Sequence, residues 1–241
     1  METEDYVGVI RERSDALLSA ARANLDAAVP SCPGWTVADL VAHIGEAWGW
    51  AAAVVRSGER RDAPTAPDGL GGPALVEWAR GRLEELLDVL EDADPTANCW
   101  TFGLPRSPLF WFRRQALETA VHAWDCAGAV GEPAPLDPEL ARDGIDEFLG
   151  SMVPRQVKRR PDAWTGQSLH LHRTDGEGEW MVRLGPDGEV STERAHGKGD
   201  VALRGPASTL YLWCLNRVRA DDLELFGDPA VAARWTAEIS F

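Results

Sequence analysis

The chain has 241 residues, of which 44% are hydrophobic and 26% are charged, a composition typical of a folded protein that buries a full core. Its 24 basic and 39 acidic side chains give a formal charge of −15 at pH 7, which argues against nucleic acid and anionic membrane surfaces as partners because both are negatively charged. The sequence also lacks the run of about 18 apolar residues that a membrane span requires.

The N-terminal residues and the cysteines bear on the cellular setting. The first residues, Met1–Asp5, are acidic, whereas a signal peptide begins with basic residues. The four cysteines lie far apart and form no Cys-x-x-Cys pair, so the sequence indicates neither a disulfide framework nor a cysteine-rich zinc site. We therefore expect a cytoplasmic protein with reduced thiols.

Residues 1–155 carry the spacing of helices. Apolar residues recur every three or four positions, which predicts helices at about 4–26, 37–56, 74–92, 108–129 and 138–153. Thr36 and Asp39 form the pattern of a capping box at the start of the second helix. Four long amphipathic helices in succession predict a four-helix bundle.

After Arg160 the apolar residues alternate with polar ones, as in strands. Turn residues such as Asp175-Gly176 separate the runs, which predict strands at 168–173, 179–184, 189–194 and 201–204, followed by helices at about 206–217 and 229–238. The fold class is therefore α+β. We predict a helical domain over residues 1–155 and a small α+β domain over residues 156–241.

Candidate metal ligands lie on the second and fourth predicted helices. Glu118 and His122 are four residues apart, so their side chains leave the same face of a helix. If the second helix faces this one, His43 joins them, and two imidazoles with one carboxylate suit a zinc ion whose fourth position is open to water or a thiolate. The structural alternative is an intrahelical Glu–His hydrogen bond with His43 as a core histidine.

Other side chains near these positions are candidates for further roles. Trp50 follows His43 along the same polar stripe and is our candidate for lining a cofactor pocket. Glu46, one turn from His43, would be the general base if the chain were a metal-dependent hydrolase, in which zinc activates water. A structural interpretation of Glu46, as a solvated acid, stays open.

Five basic or titratable residues are assigned structural roles from their positions. His170 and His172 share one face of a predicted strand, but no third metal ligand is evident. We therefore expect them to have a structural role on the face of the sheet. His196 lies in a predicted loop, and Arg113 and Arg114 are expected to be solvated partners of acidic residues. The alternative for either arginine is a place at the rim of the cleft.

Two longer segments resemble a known family. Cys32–Gly45, Cys-Pro-Gly-Trp-Thr-Val-Ala-Asp-Leu-Val-Ala-His-Ile-Gly, resembles the start of the second helix in the mycothiol-dependent maleylpyruvate isomerase family, a branch of the DinB-like metal-binding bundles. Phe112–Ala127 resembles the second metal motif of that family. The resemblance implies that His43, Glu118 and His122 are zinc ligands. It continues into the C-terminal region through residues 169–172, 178–180, 205–207 and 227–229.

The resemblance implies a DinB-like bundle followed by a sterol-carrier-like α+β domain. It also implies zinc, or another divalent metal, with mycothiol as the thiol cosubstrate, since metal coordination deprotonates a thiol. The thiolate would add to the double bond of maleylpyruvate, allow rotation and leave, giving fumarylpyruvate. Transfer of the same thiol to another electrophile would need the same metal ligands.

Arg217 is the candidate catalytic residue of the C-terminal domain. It matches a family arginine that contributes to activity, although Asn216 stands where the family usually has glycine. A guanidinium group pairs well with the carboxylates of a dicarboxylate substrate. A surface salt bridge is the structural alternative.

Two alternative functions remain open at the level of the sequence. One is a metal-dependent hydrolase, and the other is a non-catalytic module that holds a small apolar ligand in the C-terminal domain. For the thiol-dependent enzyme we expect small-molecule partners, namely a low-molecular-weight thiol and a dicarboxylate or other electrophile. We expect a monomer or a small homo-oligomer.

Overall fold

Four long helices form the first part of the chain in the computed structural model, which describes residues 1–239. α1 packs on α4, and α2 packs on both α3 and α4, so the predicted helical bundle is present. α1 ends five residues earlier than predicted because the chain turns after Ala21. The bounds are α1 (Thr3–Ala21), α2 (Val37–Ser57), α3 (Gly72–Asp92) and α4 (Pro108–Val130).

The start of α2 is fixed by the predicted capping box. The Thr36 hydroxyl accepts a hydrogen bond from the backbone N–H of Asp39 at 3.3 Å, and the Asp39 carboxylate accepts one from the backbone N–H of Thr36 at 2.8 Å. Just before it, the N–H of Val29 bonds to the carbonyl of Trp35 at 2.9 Å, which closes a tight loop. The loop and the cap together determine where Trp35 and the first turns of α2 lie.

The core of the bundle is apolar and closely packed. A side chain at Gly45 would meet the Trp78 ring at 2.4 Å, so α2 and α3 approach as closely as they do because this position is glycine. The largest fully buried side chains of the bundle are Ile10, Leu17, Leu18, Trp48, Phe110 and Trp111.

The second part of the chain is a mixed sheet with helices. Among the described residues the sheet has five strands in the order β3-β2-β1-β4-β5, in which β1 and β4 are parallel and the other neighbours antiparallel. The four predicted strands are present, and β5 is an edge strand that the sequence did not predict. The strands are β1 (Gln167–Arg173), β2 (Glu179–Leu184), β3 (Val190–Glu193), β4 (Val201–Gly205) and β5 (Glu224–Gly227).

Helices precede and follow the sheet in sequence. A one-turn π-helical segment, Phe148–Met152, joins α5 to α6 without a break. The fully buried aromatic side chains of this part are Phe148, Trp164, Trp180, Tyr211, Trp213 and Trp235. The helices are α5 (Pro138–Glu147), α6 (Val153–Arg159), α7 (Ala207–Cys214) and α8 (Pro229–Glu238). Within residues 1–239, none of the helices combines the length and the apolarity needed to cross a membrane.

The chain divides into two compact units between Ala134 and Pro135, whereas the sequence placed the division near residue 155. The difference is α5, which packs against α7 and so belongs with the second unit. Gly144 permits this packing, because a Cβ atom there would lie 2.5 Å from Cζ of the buried Tyr211 ring. Helical periodicity identifies α5 as a helix but does not indicate which unit covers its apolar face.

Replacing Gly144 with alanine is expected to destabilise the second unit. The new methyl group would overlap the Tyr211 ring, which is 1% exposed. Overpacking of this kind costs about 1–3 kcal/mol, more than the ~1 kcal/mol that alanine gains over glycine in a helix. Urea denaturation should show the loss. Gly150→Ala, whose Cβ meets nothing within 4 Å, is the control, and an equal effect in both variants would contradict this packing argument.

Candidate metal centre

Helices α2 and α4 bring together the three predicted ligands. Nε2 of His43 lies 3.2 Å from Oε1 of Glu118, and Nε2 of His122 lies 3.3 Å from the same oxygen. The centroids of the two imidazole rings are 4.9 Å apart, with one ring edge-on to the other. The two histidines, 79 residues apart in sequence, therefore point their nitrogens at one carboxylate oxygen.

The spacing of these donor atoms fits a tetrahedral divalent ion. Ligand nitrogens and oxygens lie about 2.0–2.1 Å from zinc, so neighbouring ligand atoms in a tetrahedral site are about 3.3 Å apart. The separations of 3.2 and 3.3 Å agree with that value. Three protein donors are also the number that catalytic zinc sites use, with the fourth position left to water or substrate. His43 has 39% of its side chain exposed, so an external ligand can approach on its side.

A buried carboxyl group orients His122. Oδ2 of Asp125 lies 3.0 Å from Nδ1 of His122, and Oδ1 accepts a hydrogen bond from the Ser31 hydroxyl at 2.6 Å. Asp125 is completely buried. A carboxylate on Nδ1 holds the proton on that nitrogen and leaves the Nε2 lone pair directed at a metal, as in many carboxylate–histidine–metal sites.

A buried arginine orients Glu118. Arg114 lies one turn before Glu118 on α4, is 8% exposed, and donates a hydrogen bond to Oε2 of Glu118. Oε1 is thereby left facing the two histidines. The expectation that Arg114 is a solvated partner of acidic residues was wrong, because the face of α4 that carries it is covered by the bundle.

The electrostatics of the site favour a cation. Burial raises the pKa of Glu118, but the guanidinium of Arg114 and the hydrogen bonds with His122 and His43 outweigh it and hold that pKa well below 4.5. Burial lowers the pKa of His122, yet hydrogen bonds with Asp125 and Glu118 raise it to about 9. The negative field that keeps a proton on His122 also attracts a divalent ion, which would replace that proton.

Trp35 forms an aromatic wall of the site. Its ring stacks on His122 with centroids 6.4 Å apart and planes inclined by 17°, and its centroid is 5.1 Å from that of His43. The tight loop before α2 supplies this residue, so the segment that begins the helix also lines the site.

Two family models match the chain. The N-terminal domain of mycothiol maleylpyruvate isomerase matches residues 7–127, and the MDMPI C-terminal domain matches residues 139–234. The chain belongs to the mycothiol maleylpyruvate isomerase family.

Solved structures share the fold of the chain, and curated relatives share part of its sequence. Crystal structures of the mycothiol-dependent maleylpyruvate isomerase and of a mutant of it share the fold, with a TM-score of 0.63, 15% identity and 93% of each chain covered. Two uncharacterized proteins of Mycobacterium tuberculosis, from strains CDC 1551 and H37Rv, are 32% identical over 133 residues. That alignment covers 52% of this chain and 66% of each relative, so the chain spans about two thirds of their length.

Trp50 and Glu46 both contact the loop that follows α2. The indole N–H of Trp50 donates to the carbonyl of Arg61 at 2.8 Å, and Oε1 of Glu46 accepts a hydrogen bond from the N–H of Ala66 at 2.8 Å. The Trp50 ring packs among other aromatic rings with centroids 5.2–6.1 Å away, those of Trp100, Phe102 and Trp111. The hydrogen bond with Ala66 favours a structural role for Glu46, while cofactor binding by Trp50 stays a prediction.

Arg217 lies in the second unit, directly after α7. Its Nη1 donates to the carbonyl of Leu215 at 2.9 Å. The preceding residue, Asn216, has a φ of 61°, in the left-handed region that favours glycine and that asparagine adopts more readily than most residues. Asn216 therefore adopts a backbone conformation that glycine would also allow, at a position where the family resemblance predicts glycine. A role for Arg217 with a substrate carboxylate stays a prediction from the family resemblance.

Proposed function

We propose that the chain is a thiol-dependent enzyme of the isomerase or transferase class, with a zinc ion held by His43, Glu118 and His122. One observation carries the proposal, namely that two imidazole nitrogens lie 3.2 and 3.3 Å from one Glu118 oxygen, the spacing of ligands around a single ion. Family membership supports mycothiol as the thiol, because the solved proteins of the same fold are named as mycothiol-dependent.

An external thiol is the nucleophile that the site needs. When bound, zinc supplies the charge that keeps a coordinating thiol deprotonated at neutral pH. The cysteines of the chain are poorly suited to this role. Burial, with a further effect of Asp125, raises the pKa of Cys126 to about 11, and burial also raises the pKa of Cys99. The thiol of Cys32 lies 3.6 Å from an oxygen of Asp125, to which it donates.

The residues around the ligands fix their geometry before a substrate arrives. Arg114 holds Glu118, and Asp125 holds His122, so neither ligand has to reorganise to receive an ion. The Trp35 ring lies against both histidines and forms one wall of the site. The exposed edge of His43 is left as the approach for the sulfur.

The reaction we propose is cis–trans isomerisation of maleylpyruvate or a close relative. The thiolate adds to the double bond, the resulting single bond rotates, and the thiolate leaves, so the product has the same atoms as the substrate. If the substrate has no such double bond, the same thiolate attacks another electrophilic carbon and remains attached, while that carbon releases its leaving group with the electron pair of the broken bond, which is an S-transfer. The metal ligands and their supports are the same in both reactions.

The test is the loss of maleylpyruvate absorbance on addition of tag-free, zinc-loaded protein, with and without mycothiol. We expect turnover only with the thiol, and Glu46→Gln is expected to retain it because Glu46 anchors a loop. A panel of other electrophiles, followed by mass spectrometry of the thiol, separates S-transfer from isomerisation. Zinc-loaded protein that is inactive with every combination of thiol and electrophile would refute the proposal. Thiol-independent hydrolysis abolished by Glu46→Gln would favour the hydrolase instead.

A further inference from the structure

A second cluster of metal-binding side chains lies on the sheet of the second unit. Three histidines surround one carboxylate, Glu179. Nε2 of His170 lies 2.9 Å from Oε2 of Glu179, Nδ1 of His196 lies 2.7 Å from the same oxygen, and Nδ1 of His172 lies 3.3 Å from Oε1. One donor atom from each of the four residues lies within 4.8 Å of the others.

The register of the sheet brings three of these residues to one face. Residues two apart on a strand share a face, and so do residues directly opposite each other on neighbouring strands. His170 and His172 are two apart on β1, and His172 is directly opposite Glu179 on the antiparallel strand β2. The expectation of no third ligand was wrong because it considered the strand of the histidines alone.

The fourth residue, His196, comes from the loop after β3. Two glycines without side chains allow this loop to lie close to the sheet. A Cβ atom at Gly199 would lie 2.8 Å from the carbonyl oxygen of Val201 and 3.0 Å from the backbone nitrogen of His170. One at Gly197 would lie 3.2 Å from the sulfur of Met181. The chain can therefore pass close to β1 and β2, and it turns the ring of His196 toward Glu179 although 79% of that side chain is exposed.

We propose that His170, His172, Glu179 and His196 form a second metal site, for a divalent transition-metal ion of the zinc class. Imidazole nitrogens suit zinc, copper and nickel, and the single carboxylate gives the four ligands a charge that attracts a cation. A tetrahedral ion requires about 3.3 Å between ligand atoms. The separation of 2.7 Å at His196 would widen by about 0.6 Å, a movement open to its exposed ring. The separation of 2.9 Å at the buried His170 would widen by about 0.4 Å through a shift of the partly exposed Glu179 carboxylate.

The number of protein ligands distinguishes this site from the one in the bundle. Four protein donors complete a tetrahedral shell, and closed shells are typical of structural metals. The ion would tie the loop at 194–199 to β1 and β2. The role is therefore local stabilisation of this unit, and it does not depend on the function proposed for the bundle.

The binding test uses tag-free His122→Ala protein, in which the site of the bundle has lost a ligand. Titration with Zn²⁺ by calorimetry should still give one equivalent bound. Adding His196→Ala should weaken that binding by at least about 10–100-fold, the loss that even a supporting residue of a metal site causes. His196 is mostly exposed, so this variant is expected to fold. If His122→Ala binds no zinc, or if His196→Ala changes nothing, the second site is refuted.

Proteolysis provides a second, independent measurement. The chain has two lysines, Lys158 and Lys198, and both are exposed. Zinc should slow cleavage by a lysine-specific protease after Lys198, which lies in the tied loop, and should leave the rate at Lys158 unchanged as an internal reference. In the His196→Ala variant, zinc should slow cleavage at neither of the two lysines. Equal rates at Lys198 with and without zinc in the wild type would contradict the proposal, whatever the bundle site binds.

Discussion

The His122→Ala variant is expected to contain one equivalent of zinc less than the wild type and to lose its thiol-dependent turnover. The substitution removes one of three protein donors and leaves the buried Asp125 without the imidazole that it orients. A thiol with a pKa of about 8.5 is only about 3% ionised at pH 7, so losing the ion lowers the thiolate population by about 30-fold. Loss of sulfur positioning adds to this factor. Metal analysis after dialysis and the maleylpyruvate assay measure the two effects.

Glu46→Gln is the matched control for this experiment. It removes a carboxylate one turn from His43 on the same helix, yet Glu46 bonds to the N–H of Ala66 and is not among the three converging donors. It should keep both zinc and turnover. Zinc content and activity that are equal in wild type and His122→Ala would show that this histidine is not a ligand, and circular dichroism would establish that the variant is folded.

The convergence of the three donors could be predicted because helical geometry is regular. A spacing of four residues puts Glu118 and His122 on one face whatever the rest of the chain does. His43 was placed by its position two turns after the capping box, which fixes where α2 begins. That α2 faces α4, however, depends on packing between residues far apart in sequence. Residue spacing does not predict this packing, and the prediction came from the family resemblance.

The supporting residues of the site were only partly predictable. Arg114 is one turn before Glu118, so the i,i+4 rule could have paired them. Arg114 was predicted to be solvated because charged residues are mostly exposed unless paired. The burial of this face of α4 depends on how all the helices of the bundle pack, which the local sequence does not show. Trp35 contacts both histidines, whereas Trp50, which lies on α2 with His43, bonds to a loop carbonyl instead.

The histidine cluster on the sheet was missed because strand register is not local. Glu179 faces His172 only because the turn between β1 and β2 sets that pairing, and a shift of one residue would send its side chain to the other face. His196 comes from a loop whose path is set by close approaches at Gly197 and Gly199. The two glycines next to His196 were the available signal that the chain passes close to the sheet there. This segment was interpreted as an ordinary loop.

The Arg114→Met variant is expected to be less stable than the wild type in the absence of metal, by about 3 kcal/mol. The Arg114 side chain is 9% exposed and that of Glu118 is 22% exposed. Removing one partner of a buried ion pair costs about 3–5 kcal/mol when the other charge is left uncompensated, and here the protonated His122 still compensates part of the Glu118 charge. The partial exposure of Glu118 favours the low end of that range. Methionine keeps most of the apolar stem of the arginine side chain. The loss of stability therefore reflects the removed charge more than the removed side-chain volume. Thermal and urea denaturation of metal-free protein measure it.

Zinc should reduce this difference, because the ion supplies the positive charge next to Glu118 that the guanidinium supplied. At a free zinc concentration 100 times its Kd, a bound ion stabilises the folded state by about 2.7 kcal/mol, and the Arg114→Met variant should gain more than the wild type. Arg113→Met, the same change at the half-buried neighbour, should stay within about 1 kcal/mol of the wild type with or without zinc. Two results would contradict the prediction: a large loss of stability in Arg113→Met, or a loss in Arg114→Met that is unchanged by zinc. Either would show that Arg114 stabilises the protein through packing and not through the charge of Glu118.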